Sequence, residues 1–345
     1  MTGKILRAGI VGYGYMGQIR RRNVEENPDF ELAGLCDPRL TGDENKVNAF
    51  VFPTYQSLID IRPDVVFVCT PNHATPEVVI YALEHGCHVF CEKPPGRNLS
   101  DIQRIIAVEQ NHPGLKLIFG FNHRHHPGIT DAKAIVESGS LGQLLWIRGV
   151  YGKSGSDEFE SSWRNDPAMS GGGILLDQGV HMLDLFRLFG GDFNEVVGML
   201  ATNYWDIPVE DNAFVLLRNT GNGVMAQLHS SATLWKHTFR LEIGLEKGYF
   251  VVSGLLSKTG SYGRETLLVG RRPAHGEKVA LGNPREEITY YDTDPSWDIQ
   301  VQHLVECIRG NHPVTDSNSA DALKVMEIID WVYAQAPQAL KKGQA

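Results

Sequence analysis

Positive charge is scarce in this chain. Its 345 residues carry 32 Lys and Arg against 41 Asp and Glu, a formal net charge of -9. A protein that grips a nucleic-acid backbone usually shows a basic patch, so nucleic acid is not an expected partner. Long hydrophobic runs are also missing. No window approaches the roughly 20 apolar residues that a membrane-crossing helix needs, so no membrane association is expected. The opening MTGKILRAGIVGYG runs straight into a strand pattern, without the apolar region and small-residue cleavage site of a secretion signal. Cysteine is sparse: Cys36, Cys69, Cys87, Cys91 and Cys307 form no C-x-x-C pair, and four of them sit in apolar, strand-like runs. Buried free thiols in a reducing cytoplasm are the expectation. There is no internal repeat and no low-complexity segment.

The rest is ordinary for a globular protein, with 42% hydrophobic and 21% charged residues. The length exceeds one simple core, which predicts two domains. The first part alternates: strand runs at 4–12, 30–37, 64–70, 88–94 and 116–122, with helical stretches after the first, third and fourth. That rhythm predicts βαβ units and a parallel sheet, and the unbroken apolar runs suit strands covered on both faces. Beyond about Ile129 the rhythm changes. A helix at 131–137, the run QLLWIRGVYG, a polar loop at 153–170 and a helix from Ser170 to Gly191 lead into strand-like runs separated by Gly and Asn-Gly turns. These predict an antiparallel sheet of roughly five or six strands. Two helices, about 296–309 and 319–334, close the chain. The fold class is therefore an α/β nucleotide-binding-like domain followed by an α+β domain dominated by an antiparallel sheet.

Three places carry chemistry. Gly12, Gly14 and Gly17 form G-x-G-x-x-G between an apolar strand and a helix, and Asp37 stands 20 residues beyond Gly17 at the end of the next strand. This is the arrangement of a dinucleotide site. The first glycine permits the turn, the second leaves room for pyrophosphate, and the third lets helix and strand pack closely. The acid accepts the ribose hydroxyls. Tyr15 and Met16 lie within the same loop. Asp37 favours NAD, because a 2'-phosphate would meet its charge; Arg39 keeps NADP possible. Ligands gather at the carboxyl ends of parallel strands, which points to Thr70, Pro71, Asn72 and His73 after one strand and Glu92 and Lys93 after another. Lys93 beside a nicotinamide would hydrogen-bond a substrate hydroxyl and stabilise an alkoxide. Finally, Asp177, His181 and Asp184 fall on one stripe of an otherwise apolar helix. His181 has the titration range to take a proton from an alcohol. Asp177 would orient hydroxyls or hold the imidazole, and Asp184 reads as a structural partner or a dimer-face residue.

GYGYMG, CTPNHATP, CEKP, GFNHRHHP and SGGGILLDQGVHMLDL occur here in the order and at the spacing of the Gfo/Idh/MocA family, and the chain resembles that family over essentially its whole length. The resemblance implies a Rossmann domain over 1–124. It implies a substrate-binding and oligomerisation domain over 125–345 with a large open, mainly antiparallel sheet, the final helices packing back on the first domain. It implies that Lys93, Asp177 and His181 converge on the substrate beside the nicotinamide C4, that the Lys93–Pro94 peptide is cis, and that copies pair as dimers or tetramers through the sheet. Asn122, Arg124, Trp163 and Arg164 are candidate substrate contacts, and His123 or His125 could serve in place of Arg124. His123, His125 and His126 lie too close together in sequence for a zinc site without other ligands, so no metal is expected. The expected function is NAD(P)-dependent oxidoreduction of a sugar, nucleotide sugar, sugar acid or cyclitol. Two alternatives are a glycosidase working by transient NAD oxidation and elimination, and a non-catalytic NAD-binding sensor.

Overall fold

The computed structural model describes residues 4–40, 47–156, 158–257, 260–273 and 284–335, and the backbone of 340–341. Asp157 of the 153–170 loop lies outside them, as do the outermost residues of both expected domains. The chain forms two compact units. The first comprises residues 1–121, 168–171 and 297–326, and the second residues 122–167, 172–296 and 327–345.

In the first unit, β1 (Leu6–Val11), β2 (Phe30–Cys36), β3 (Val65–Val68), β4 (His88–Cys91) and β5 (Leu117–Phe119) form one parallel sheet in the order β2-β1-β3-β4-β5. Its helices are α1 (Tyr15–Glu26), α2 (Tyr55–Asp60), α3 (Thr75–Glu84) and α4 (Leu99–Glu109). Every residue of β3 and β5 is buried. Both faces are therefore covered, which is why these strands read as solid apolar runs. Local chemistry sets the helix starts: Thr54 and Ser57 close a capping box on α2, and Asn98 caps α4 by accepting from the Asp101 N–H. The strand order reverses about β1 and β3, and in such sheets the crevice outside their carboxyl ends is the ligand site.

The second unit begins with a 3-10 turn, Asn122–His125, and α5 (Pro127–Glu137). Its strands are β6 (Leu144–Gly152), β7 (Glu195–Thr202), β8 (Asn212–Arg218), β9 (Met225–Ser231), β10 (Thr238–Leu245), β11 (Gly248–Ser253), β12 (Glu265–Arg271) and β13 (Glu286–Tyr291). With β14 (Leu340–Lys341) they form one nine-stranded sheet, ordered β13-β12-β11-β10-β6-β9-β8-β7-β14. The expected five or six strands are too few. β6, far from the others in sequence, takes the centre and runs parallel to β9; β14 joins the edge parallel to β7. The remaining pairs are antiparallel.

One face of this sheet is packed. Any side chain at Gly149 of β6 would strike Met182 and Phe186, so the helix that carries them lies directly on the strand. On the other face, β7 and β8 expose two apolar cross-strand pairs, Val197 with Leu216 and Met199 with Phe214, beside the exposed ion pair of Glu195 and Arg218. The helical segment at 167–190 is broken rather than continuous. It consists of a one-turn α6 (Pro167–Ser170), a π-helical turn (Leu175–Gly179) and α7 (Val180–Gly190). The closing helices are α8 (Ser296–Gly310) and α9 (Ser319–Gln335).

Candidate active site

At the carboxyl edge of the first sheet the three glycines have separate physical duties. Gly12 sits at φ +89, and a Cβ there would meet the Cys69 carbonyl oxygen at 2.4 Å. A Cβ on Gly17 would approach the Gly12 oxygen to 2.1 Å. No L side chain fits either position. Among the described residues the only close atom around Gly14 is the Arg39 Nη2, at 3.4 Å, so its missing side chain leaves room. Gly14 is also the N-cap of α1 and supplies no side-chain cap, so the first N–H groups of the helix can meet an anion. The donor set fits a dinucleotide pyrophosphate. Tyr15 is exposed and Met16 half-buried at this helix start.

Asp37 follows β2. Its carboxylate accepts the Tyr13 N–H at 2.7 Å and the Arg39 N–H at 2.9 Å, and it takes the Arg39 guanidinium through two further bonds of 2.9 and 2.7 Å. Burial alone would raise its pKa. The hydrogen bonds from Arg39 and Tyr13 outweigh burial and hold the carboxyl below its ordinary value.

After β3, Thr70 Oγ1 lies 3.0 Å from Thr75 Oγ1, and Pro71 leads into the α3 turn. The buried Asn72 amide donates to the Ser170 carbonyl at 2.7 Å, and the His73 N–H donates to Met169 O at 3.0 Å. These two residues thus hold the 168–171 segment against the loop. After β4, the buried Glu92 carboxylate accepts Arg20 Nε at 2.7 Å. Arg20 is fully buried, stacked 4.0 Å over the Phe90 ring and bonded to Gln300. This pair anchors the turn on which Lys93 is presented half-buried, and the Lys93–Pro94 peptide is cis, as the resemblance implies.

In the second unit the π-helical turn changes the expected geometry. The single stripe assumed α-helical phase from Asp177 to Asp184, whereas Asp177 stands in the wider turn and His181 in α7. Asp177 receives Lys153 Nζ at 2.5 Å and Arg164 Nε at 3.3 Å. All three side chains line a cavity of about 520 Å³ with Phe159, Trp163 and His237. That volume lies within the ~300–1,000 Å³ of small-molecule sites. The Arg164 guanidinium lies 4.6 Å over the Trp163 ring. Burial and the charge of Lys153 depress the pKa of His237.

His181 belongs to a cluster of rings. It stacks on His123 with centroids 3.8 Å apart and planes 16° apart. His123 Nε2 lies 3.0 Å from the Tyr151 hydroxyl, and His123 Nδ1 lies 3.1 Å from Asn122 Oδ1. Burial pushes the Tyr151 and Tyr262 hydroxyls well above their ordinary values, so both remain donors at neutral pH. Tyr262 donates to Gln178. Asn122 and Arg124, expected at the substrate, are buried and bonded within this unit. Asn122 donates to Ser296 Oγ, and Arg124 holds Asp184 through bonds of 2.7 and 2.5 Å. His126 sits 2.8 Å from buried Glu265. Among the described residues no group of His, Cys, Asp or Glu is placed to hold a metal ion. Sequence reasoning missed Lys153, His237, Tyr151, Tyr262 and Arg20. Only Arg20 left a local signal, as a charged residue on the inward face of α1.

Residues 6–121 match the oxidoreductase family with an NAD-binding Rossmann fold, and residues 129–251 match the GFO/IDH/MocA C-terminal domain. Levoglucosan dehydrogenase of Pseudarthrobacter phenanthrenivorans is 30% identical over 57% of this chain and 54% of its own length. D-glucoside 3-dehydrogenase of Escherichia coli is 33% identical over 53% of this chain and 54% of its own. The chain thus spans about half the length of these curated relatives. Aldose-aldose oxidoreductase of Caulobacter crescentus, solved with glycerol, superposes with a TM-score of 0.80 at 25% identity, over 97% of this chain and 98% of that one. Among the described residues no helix is long and apolar enough to cross a membrane. The glycine loop, the acid after β2, the cis E-K-P turn and these matches together make the chain a member of the Gfo/Idh/MocA family of oxidoreductases.

Proposed function

We propose that this protein is an NAD-dependent dehydrogenase that oxidises a secondary alcohol of a sugar or cyclitol. The observation that carries the reading is the cavity bounded by Lys153, Trp163, Arg164 and Asp177: one aromatic face with charged donors and an acceptor, the set that recognises a ring bearing hydroxyls. Curated relatives named as levoglucosan, D-glucoside and inositol dehydrogenases support the substrate class.

NAD, when bound, supplies the hydride acceptor. The loop from Gly12 to Gly17 and the α1 N-terminus would hold its pyrophosphate, Asp37 its ribose, and Thr70 to His73 with Glu92 the nicotinamide side. The chain's own chemistry is to place and move a proton. The His181 imidazole takes the carbinol proton. The role proposed for the Lys93 ammonium is to stabilise negative charge as the alkoxide forms. Asp177, held by Lys153 and Arg164, accepts from a neighbouring hydroxyl and fixes the ring, while Trp163 packs on its C–H face. The free thiols fit a cytoplasmic protein. The apolar open face of the sheet, with Met199 73% exposed, fits pairing of two copies. Met199→Glu with Leu216→Lys would then yield monomers in sedimentation.

The test is a panel of sugars, cyclitols and sugar acids with NAD, followed by nicotinamide absorbance. Steady NADH formation, reduced about 10²- to 10⁴-fold in Lys93→Met and in His181→Ala with NAD affinity retained, supports the reading. NAD binding without turnover of any panel member, or reducing-sugar release with no net NADH, overturns it.

A further inference from the structure

Three rings outside the cavity have no place in this chemistry. Tyr204 and Trp235 are 61% and 58% exposed. Large aromatic side chains bury much apolar surface when they pack, and leaving two of them in water side by side is unusual. They belong to one cluster: Tyr204 lies 4.7 Å from Trp235 and 5.0 Å from Trp205 between centroids, and Trp205 lies 6.1 Å from Trp235. Phe159 lines the sugar cavity and packs 4.9 Å from Trp205. His237 lines the same cavity two residues after Trp235. The aromatic surface is therefore an outward continuation of the cavity wall.

The shelf is held rigid. The fully buried Asp211 accepts the N–H groups of Asn203, Tyr204 and Trp205 at 2.9, 2.8 and 3.1 Å. Trp205 Nε1 donates to the Ala232 carbonyl at 3.0 Å, tying this turn to the loop that carries Trp235. The Asp206 N–H donates to Glu160 at 3.1 Å, tying it to the loop that carries Phe159 and Trp163. Trp235 itself sits at φ +55, a conformation that bulky residues rarely adopt. Loops braced in this way present a ring face without losing conformational entropy when a ligand arrives.

We propose that Tyr204, Trp205 and Trp235 form a subsite for a second ring attached to the reacting sugar, so that the preferred substrates are glycosides with a ring aglycone rather than free monosaccharides. Tyr204 meets Trp235 and Trp205 edge to face, at 79° and 85°, and a flat six-membered ring packs against aromatic faces and edges alike. The inference rests on the sugar-dehydrogenase reading and deepens it.

The test compares phenyl and methyl pyranosides of glucose, galactose and mannose with the free sugars, in wild type, Tyr204→Ala, Trp235→Ala and Trp235→Phe. The expected result is a lower KM for the phenyl glycoside than for the methyl glycoside or free sugar. The alanine variants raise the phenyl-glycoside KM by about fivefold to tenfold, the size of one aromatic contact, and change the free-sugar KM less than twofold. Trp235→Phe keeps most of the preference. Equal treatment of the three ligand types by wild type, or equal losses on all of them in the alanine variants, overturns the subsite while leaving the dehydrogenase reading intact. A change of sedimentation in the alanine variants with no change in glycoside KM makes the shelf a contact between copies and also overturns it. If no sugar is oxidised, the dehydrogenase reading fails. The subsite then stands or falls on phenyl-glycoside quenching of tryptophan fluorescence, which Trp235→Ala must weaken.

Discussion

The ring of His123 lies flat on the ring of His181, 3.8 Å away, and is itself held from behind by the Tyr151 hydroxyl and the Asn122 amide oxygen. The orientation of the proposed proton acceptor is therefore set by a neighbour 58 residues earlier in the chain. His123→Ala removes that support and is expected to lower kcat about tenfold to a hundredfold, since small misplacements of a reacting group carry losses of that order. His123→Phe retains a ring and should lose less. Steady-state kinetics on the best panel substrate check this, with NAD affinity unchanged in both variants.

Asp37 and Arg39 are locked together beside the open space at Gly14. Asp37→Ala removes the acceptor for ribose hydroxyls and releases the guanidinium for a phosphate. The ratio of kcat/KM with NADP to that with NAD is expected to rise at least tenfold. An unchanged ratio would show that the acid does not face the ribose.

Arg124 and Asp184 form a buried pair with two short bonds. Removing one partner strands the other charge, which costs about 3–5 kcal/mol. Asp184→Asn should therefore lower Tm markedly. The double replacement Arg124→Met with Asp184→Leu should recover most of the loss, because a buried pair replaced by apolar groups of similar size is often neutral. Thermal unfolding of the three proteins decides.

Glu210 braces the π-helical turn: its carboxylate accepts the Gly173 and Leu175 N–H groups and the Tyr333 hydroxyl. Burial outweighs these bonds and raises its pKa above the ordinary carboxylate value. The folded state thus keeps a proton that the unfolded chain releases. Its contribution to stability is complete below the unfolded pKa and declines as pH rises through the folded one. Glu210→Gln should accordingly gain in Tm relative to wild type as pH is raised from the acid side to neutrality. A difference in Tm that does not move with pH would contradict this.

The features read from the sequence were those written in local backbone constraint. Gly12 and Gly17 tolerate no Cβ, Asp37 follows its strand at a fixed spacing, and β3 is apolar because both faces are covered. The features missed depend on partners distant in the chain. Arg20 meets Glu92 across 72 positions, and Lys153 meets Asp177 across 24. Lys153 and Asp177 leave no periodic trace, and the inward place of Arg20 on α1 does not name its partner. The phase of Asp177 was misjudged for a different reason: a uniform advance of about 100° per residue holds only while the helix remains α. The breadth of the second sheet was underestimated because β6 enters it ahead of an intervening helix.

The π-helical turn at Leu175–Gly179 separates two registers within what would otherwise be one rod. Deleting one residue there would restore α geometry and swing everything before the junction by about a hundred degrees while the imidazole downstream stayed put. The groups proposed to position the ring and to accept the proton can thus be retuned independently, by a change of a single codon's length, within one continuous piece of backbone.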